Sequence, residues 1–148
     1  MELGLYKCKE VKNMKELTHN AKIAVLKILN DIVNADNIVK DVEVDYMNEI
    51  AHSFELANNY MDEVNDLVTL QALSIVRTLS TELKEKIAQM MGQMIVIDKD
   101  INYNEVKLYN AVCESCNINR NFNTDDYPGV TLSGTFVYPE DFVYTIQQ

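Results

Sequence analysis

The chain has 148 residues, enough for a single domain with a core of its own and no need of covalent staples. Asp and Glu outnumber Lys and Arg by 23 to 13, a formal net charge of −10, and no stretch gathers Lys and Arg on one face, which excludes nucleic acid and anionic lipid as partners. No apolar run is long enough to cross a bilayer, and three cysteines without an export signal lead us to expect reduced thiols in a cytoplasmic protein with no direct membrane insertion.

In chain order, residues Met1 to Asn13 are weakly patterned. From Met14 a helical period places Leu17, Ala21, Ala24, Val25, Ile28 and Ile32 on one stripe, predicting a helix that ends near Ala35. A second helix, about Asp41 to Phe54, turns Tyr46, Met47, Ile50 and Phe54 inward, and Asn58-Asn59 ends it. A third apolar segment runs through Val64, Leu67, Leu70, Leu73, Val76 and Leu79. Ser80 or Thr81 then caps a helix carrying Leu83, Ile87, Met90, Met91, Met94 and Ile95, and a last helix spans about Tyr103 to Cys116.

After Asn117 the composition changes: both prolines and two of the four glycines fall here, with Phe122, Tyr127, Phe136, Tyr138, Phe142 and Tyr144. Residues 130–132 and 136–138 flank Ser133-Gly134-Thr135 as a small hairpin would, or Pro139-Glu140-Asp141 opens a short helix at Phe142. We therefore expect a helical domain over 14–120 and an aromatic extension over 121–148, non-helical or mixed. That extension is too aromatic for a disordered linker, and it docks on the bundle, on a protein partner or on a second copy of the chain.

The chain contains one motif twice. Asp36-Asn37-Ile38-Val39-Lys40-Asp41-Val42-Glu43 returns as Asp98-Lys99-Asp100-Ile101-Asn102-Tyr103-Asn104-Glu105 at an offset of 62 (98 − 36 and 105 − 43). Val33 answers to Ile95, Val44 to Val106, Ile50 to Val112 and Leu56 to Ile118, so about 14–56 and 76–118 form an internal repeat. The expected fold is an all-α bundle of two halves related by a pseudo-two-fold. Each copy carries a helix start: Lys40 or Asn102 at the N-cap, Glu43 or Glu105 three residues on, and Val39/Val44 or Ile101/Val106 as a hydrophobic staple. Asp36 and Asp98 fall at a helix C-terminus, where a carboxylate meets unpaired carbonyls and the negative end of the dipole. Backbone N–H groups of an Asx turn, or a cation, must compensate each.

The paired Asp-x-x-(Ile/Val)-x-x-x-Glu motif resembles the tellurite-resistance TerB-like family over roughly residues 14 to 118. The family commonly has Gly after the Asp, where this chain has Asn37 and Lys99. The resemblance implies an all-helical bundle, a stress-response setting, no catalytic reaction, and a candidate metal-ion site at Asp36, Glu43, Asp98 and Glu105. Oxygen donors of this kind suit Ca²⁺ or Mg²⁺. Capping and turn closure alone account for the same four residues, which leaves a protein-interaction or scaffold module as the alternative.

Other motifs fail on inspection. Asp98-x-Asp100-x-Asn102-x-Asn104 begins like an EF-hand loop, but Tyr103 stands where the turn needs Gly and Tyr109 where it needs Glu. Cys113-x-x-Cys116 maps through the repeat onto Ala51 and Phe54, so both thiols are expected in the core and free of metal. Glu16-x-x-His19 and Glu49-x-x-His52 mimic a di-iron pair, yet at about 100° per residue both histidines fall opposite the apolar stripes. Met90, Met91 and Met94 read as core. No nucleophile elbow, phosphate-binding Gly loop or Cys–His pair is present, so no enzyme is expected.

Overall fold

The computed structural model describes residues 17–132, which form α1 (His19–Val33), α2 (Asp41–Ser53), α3 (Tyr60–Asp66), α4 (Thr69–Arg77), α5 (Thr81–Val96), β1 (Asp100–Ile101), α6 (Tyr103–Ser115), a 3₁₀ turn (Thr124–Asp126) and β2 (Thr131–Leu132). The class is all-α. The two strands pair with each other in parallel, Asp100 opposite Thr131 and Ile101 opposite Leu132.

The repeat is carried by local chemistry as well as by apolar pattern. Thr18 Oγ1 accepts the Ala21 N–H at 3.1 Å and opens α1; 62 residues on, Ser80 Oγ accepts the Leu83 N–H at 3.2 Å and opens α5. Each satisfies one free donor of a first turn. α2 and α6 have equal lengths of 13 residues and equivalent bounds. Both end in a Schellman turn: Leu56 N–H bonds the Ala51 carbonyl at 3.1 Å and Ile118 N–H that of Cys113 at 2.7 Å. Between them, Glu55 and Asn117 take left-handed φ of 62° and 64°.

α1 is the centre of the molecule. It packs against α4 and α5 and also touches α2, α3 and α6. Ile23, Leu26 and Leu29 are buried along with the predicted stripe, so the helix is enclosed on more than one side. α5 is enclosed in the same way by Ile87, Met90, Met91, Met94 and Ile95. Each such fully buried aliphatic contributes about 1.5–3 kcal/mol from removal of its surface from water, so these two helices hold the domain together.

One expectation needs correction. The third apolar segment is two helices, because Leu67 and Val68 are extended (ψ 131° and 150°) and re-aim α4 onto α1. Apolar residues at a strict spacing of three walk about 60° round a helix at each step, so six of them cannot share a face. Leu70 accordingly lies 77 % exposed. Residues 131–132 pair with β1, while the expected hairpin arm at 136–138 and the helix start at Phe142 lie outside the described residues.

The start of the extension docks on the second half of the bundle. Phe122 N–H donates to Asn110 Oδ1 at 2.8 Å, and its ring meets Tyr109 edge-on and Tyr127 in a stack, each at 5.4 Å between centroids. The Tyr127 hydroxyl sits against Gly92, where a Cβ would overlap it. Only glycine allows that approach.

Candidate functional site

Asp36 and Asp98 close identical turns. Asp36 Oδ1 accepts the Ile38 N–H and Asp98 Oδ1 the Asp100 N–H, both at 3.0 Å. The residue after each Asp is left-handed, with φ 63° at Asn37 and 64° at Lys99. Asn tolerates this conformation; Lys occupies it at a cost of about 1 kcal/mol. The dipole conflict at the ends of α1 and α5 is thus met by backbone donors in an Asx turn.

At the helix starts the halves differ. Glu43 Oε1 accepts the Lys40 N–H at 3.0 Å, the return half of a capping box. Lys40 offers no acceptor for the forward half, whereas Asn102 Oδ1 accepts the Asn104 N–H at 2.8 Å. Val39 and Val44, the predicted staple of the first half, are both exposed; Ile101 of the second is buried.

The Lys40 side chain instead crosses to the second motif. Its ammonium bonds Asp98 Oδ2 and stands 3.6 Å from Asp100 Oδ2. The hydrogen bond to Asp98 raises the Lys40 pKa, so the cation is fixed at any physiological pH. Part of the charge compensation sought at Asp98 is therefore built into the chain. Sequence reasoning missed this use of Lys40; the signal was a poor capping residue where the repeat has a good one.

Glu43 and Glu105 come together. Both are buried, at 3 % exposure, the sole charged residue types so enclosed among the described residues. Their carboxyl groups hydrogen-bond to each other, and both feel Asp36 and Asp98. Burial raises both pKa values; for Glu105, burial and then the Glu43 charge push it up to about 9. Two carboxylates in contact out of water cannot both ionise, so the pair holds one proton at neutral pH. Glu105 Oε2 and Asp100 Oδ1 are buried without a hydrogen-bond partner. The four predicted residues thus converge on one end of the bundle, with Lys40 and Asp100 added. As they stand, no three carboxylates among the described residues group closely enough to hold an ion.

The other predicted positions follow the repeat. Cys113 and Cys116 are buried free thiols; burial pushes Cys113 up to about 11 and raises Cys116 too. His19 and His52 are exposed, and His19 Nε2 lies 2.8 Å from Glu63 Oε1. Met90, Met91 and Met94 are core. A hollow of 580 Å³ between α1, α3 and α4 includes Glu63 and Asp66 in its lining and lies away from both motifs. No described helix is long and apolar enough to cross a membrane.

No family model and no curated protein matches the chain. Among solved structures it is similar to a protein of unknown function from Porphyromonas gingivalis W83, with a TM-score of 0.58 and 22 % identity over 70 % of this chain and 82 % of that one. That likeness is one of fold.

Proposed function

We propose that the chain is a non-enzymatic TerB-like module of a stress-response system whose two acidic motifs together take up a hard divalent cation, Ca²⁺ or Mg²⁺. The stress-response setting and the family rest on the motif resemblance alone. The cation reading is carried by one observation, the unpartnered buried oxygen of Glu105 beside Glu43. A buried carboxylate oxygen in that state is compensated by a proton or by a metal ion. Asp36, Glu43, Asp98 and Glu105 would supply the donors, all oxygen, as such an ion requires.

Uptake has two competitors, the shared proton and the Lys40 ammonium at Asp98. Ion binding therefore requires Lys40 to withdraw, and the site exchanges one cation for another. Calorimetry of the full chain against Ca²⁺, Mg²⁺, Mn²⁺ and Zn²⁺ tests this. Lys40→Gln should tighten binding, while Asp98→Asn and Glu105→Gln should abolish it. At a hundredfold excess over Kd, bound ion adds about 2.7 kcal/mol of stability. Absence of heat and of thermal shift in both the parent and Lys40→Gln ends the proposal.

A different observation favours the second reading, an interaction or scaffold module in which the motifs only cap helices. Each Asp already has its N–H donor, and Lys40 already supplies a positive charge. On that reading Asp36→Asn is close to neutral, since the amide still closes the turn.

A further inference from the structure

The second motif carries a carboxylate that the first lacks. Asp100 stands where the offset puts Ile38 in the first half (100 − 62), and Ile38 is apolar and exposed. The Asp100 backbone is held on two sides: its N–H donates to Asp98 Oδ1 at 3.0 Å, and it pairs with Thr131 in the contact of β1 with β2. Of its side-chain oxygens, Oδ2 lies 3.6 Å from the Lys40 ammonium and Oδ1 is buried with no hydrogen-bond partner. The glutamates diverge in the same sense. Glu43 Oε1 takes the Lys40 N–H of its own helix start, whereas Glu105, 3 % exposed, keeps Oε2 without a partner. Both buried side-chain oxygens left unpartnered among the described residues therefore belong to the second motif. The same motif already accepts a positive charge from outside itself, since the Lys40 ammonium bonds Asp98 Oδ2. Glu43 attracts that ammonium as well, and the Asp98 charge is felt by both glutamates.

We propose that Asp100 is a further ligand of the cation site, and that one divalent ion per chain is seated on the second motif, at the place the Lys40 ammonium now holds. This inference rests on the cation reading above and refines it. The repeat by itself implies four donors shared equally between the halves; the extra carboxylate and the two spare oxygens make the site one-sided. The ammonium marks the seat, because Asp98 and Asp100 both turn an oxygen toward it. A divalent ion brings twice that charge to the same carboxylates. It also gives the buried oxygens of Asp100 and Glu105 the partner that the ammonium leaves them without, and a site of this kind takes six or more oxygens, which two motifs of two carboxylates each do not readily supply.

The test uses the full chain carrying Lys40→Gln, so that no ammonium competes. Titration calorimetry with Ca²⁺ and with Mg²⁺ should give one ion per chain for the ion that binds. Adding Asp100→Asn, which keeps the side-chain shape and removes the charge, should raise Kd by about tenfold or more, since even residues outside a ligand set cost a metal site that much. Asp66→Asn, an equal loss of charge away from both motifs, should leave Kd within about twofold. A second measurement needs no change at Asp100: substoichiometric Mn²⁺ should broaden the amide resonances of residues 98–100 more than those of 36–38. A Kd unchanged by Asp100→Asn, or equal broadening of the two motifs, overturns this proposal and leaves the cation reading standing. Absence of ion binding in both the parent and Lys40→Gln overturns the two together.

Discussion

Glu105→Gln is the change that tests the buried carboxyl pair most directly. In the unfolded chain a Glu titrates near its ordinary 4.5; in the folded protein Glu105 is pushed up to about 9. A raised carboxyl pKa means that folding takes up a proton, so this group's contribution to stability is greatest below about 4.5 and is lost as pH rises toward about 9. Within that window each pH unit removes up to about 1.4 kcal/mol, giving a ceiling of about 4 kcal/mol by pH 7.5. The amide keeps an N–H donor toward Glu43 and does not titrate. The second N–H on the same nitrogen is an added buried donor for which the parent carboxyl has no counterpart, at a cost of about 1–3 kcal/mol. The variant should therefore be less stable than the parent at pH 5 by that cost and more stable at pH 8 by about 2 kcal/mol. Urea unfolding at pH 5, 6.5 and 8, at fixed ionic strength and without divalent ions, gives the two curves. Parallel curves would refute the reasoning, because both carboxyls would then ionise freely in the folded state.

Three further outcomes follow from named contacts. Lys99→Gly should stabilise the protein by about 0.5–1 kcal/mol by relieving the left-handed φ of 64°, and a thermal melt should move up by roughly 2–4 °C. Gly92→Ala, which on helix propensity alone should gain about 1 kcal/mol, should lose about 1–3 kcal/mol because the new methyl displaces the Tyr127 ring; hydrogen exchange should show the Phe122 amide opening. Cys113 and Cys116 should react with a thiol reagent at pH 8 only as fast as the domain opens, so peptide mapping should find both unlabelled under native conditions, and labelling within seconds would contradict their burial.

Much of the fold was legible because the repeat amplifies weak signals. Asp36 alone is an ordinary turn residue; its return as Asp98 located the same Asx turn at the same place in both halves. The thiols were legible for the same reason, since Ala51 and Phe54 show what their positions bury. What escaped has no local signature. The break between α3 and α4 falls at Leu67-Val68, with neither Pro nor Gly to mark it, and it is set by the docking of α4 on α1. The pairing of β2 with β1 is non-local, and a two-residue parallel contact leaves no period in the sequence. The meeting of Glu43 with Glu105 depends on how the halves face each other, which an offset of 62 residues does not state.

The divergence of the halves bears on how the site works. Two copies of one acidic motif brought face to face accumulate Asp36, Glu43, Asp98 and Glu105 in one region, a repulsion that identical halves could relieve only with their own backbone N–H groups, a proton or an outside cation. This chain relieves it three ways at once. Two backbone N–H groups face the aspartates, one proton is shared by the glutamates, and one ammonium is contributed by a single half. Lys40 does this because it is not what its counterpart is: Asn102 caps its helix, while Lys40 forgoes the cap and spends its charge on the opposite motif. The loss of a cap costs about 1 kcal/mol. A partly exposed ion pair returns a similar amount, so stability alone does not explain the exchange. On the proposed cation reading, a tethered ammonium that a divalent ion must displace sets a threshold for ion entry, and Lys40→Gln would lower that threshold.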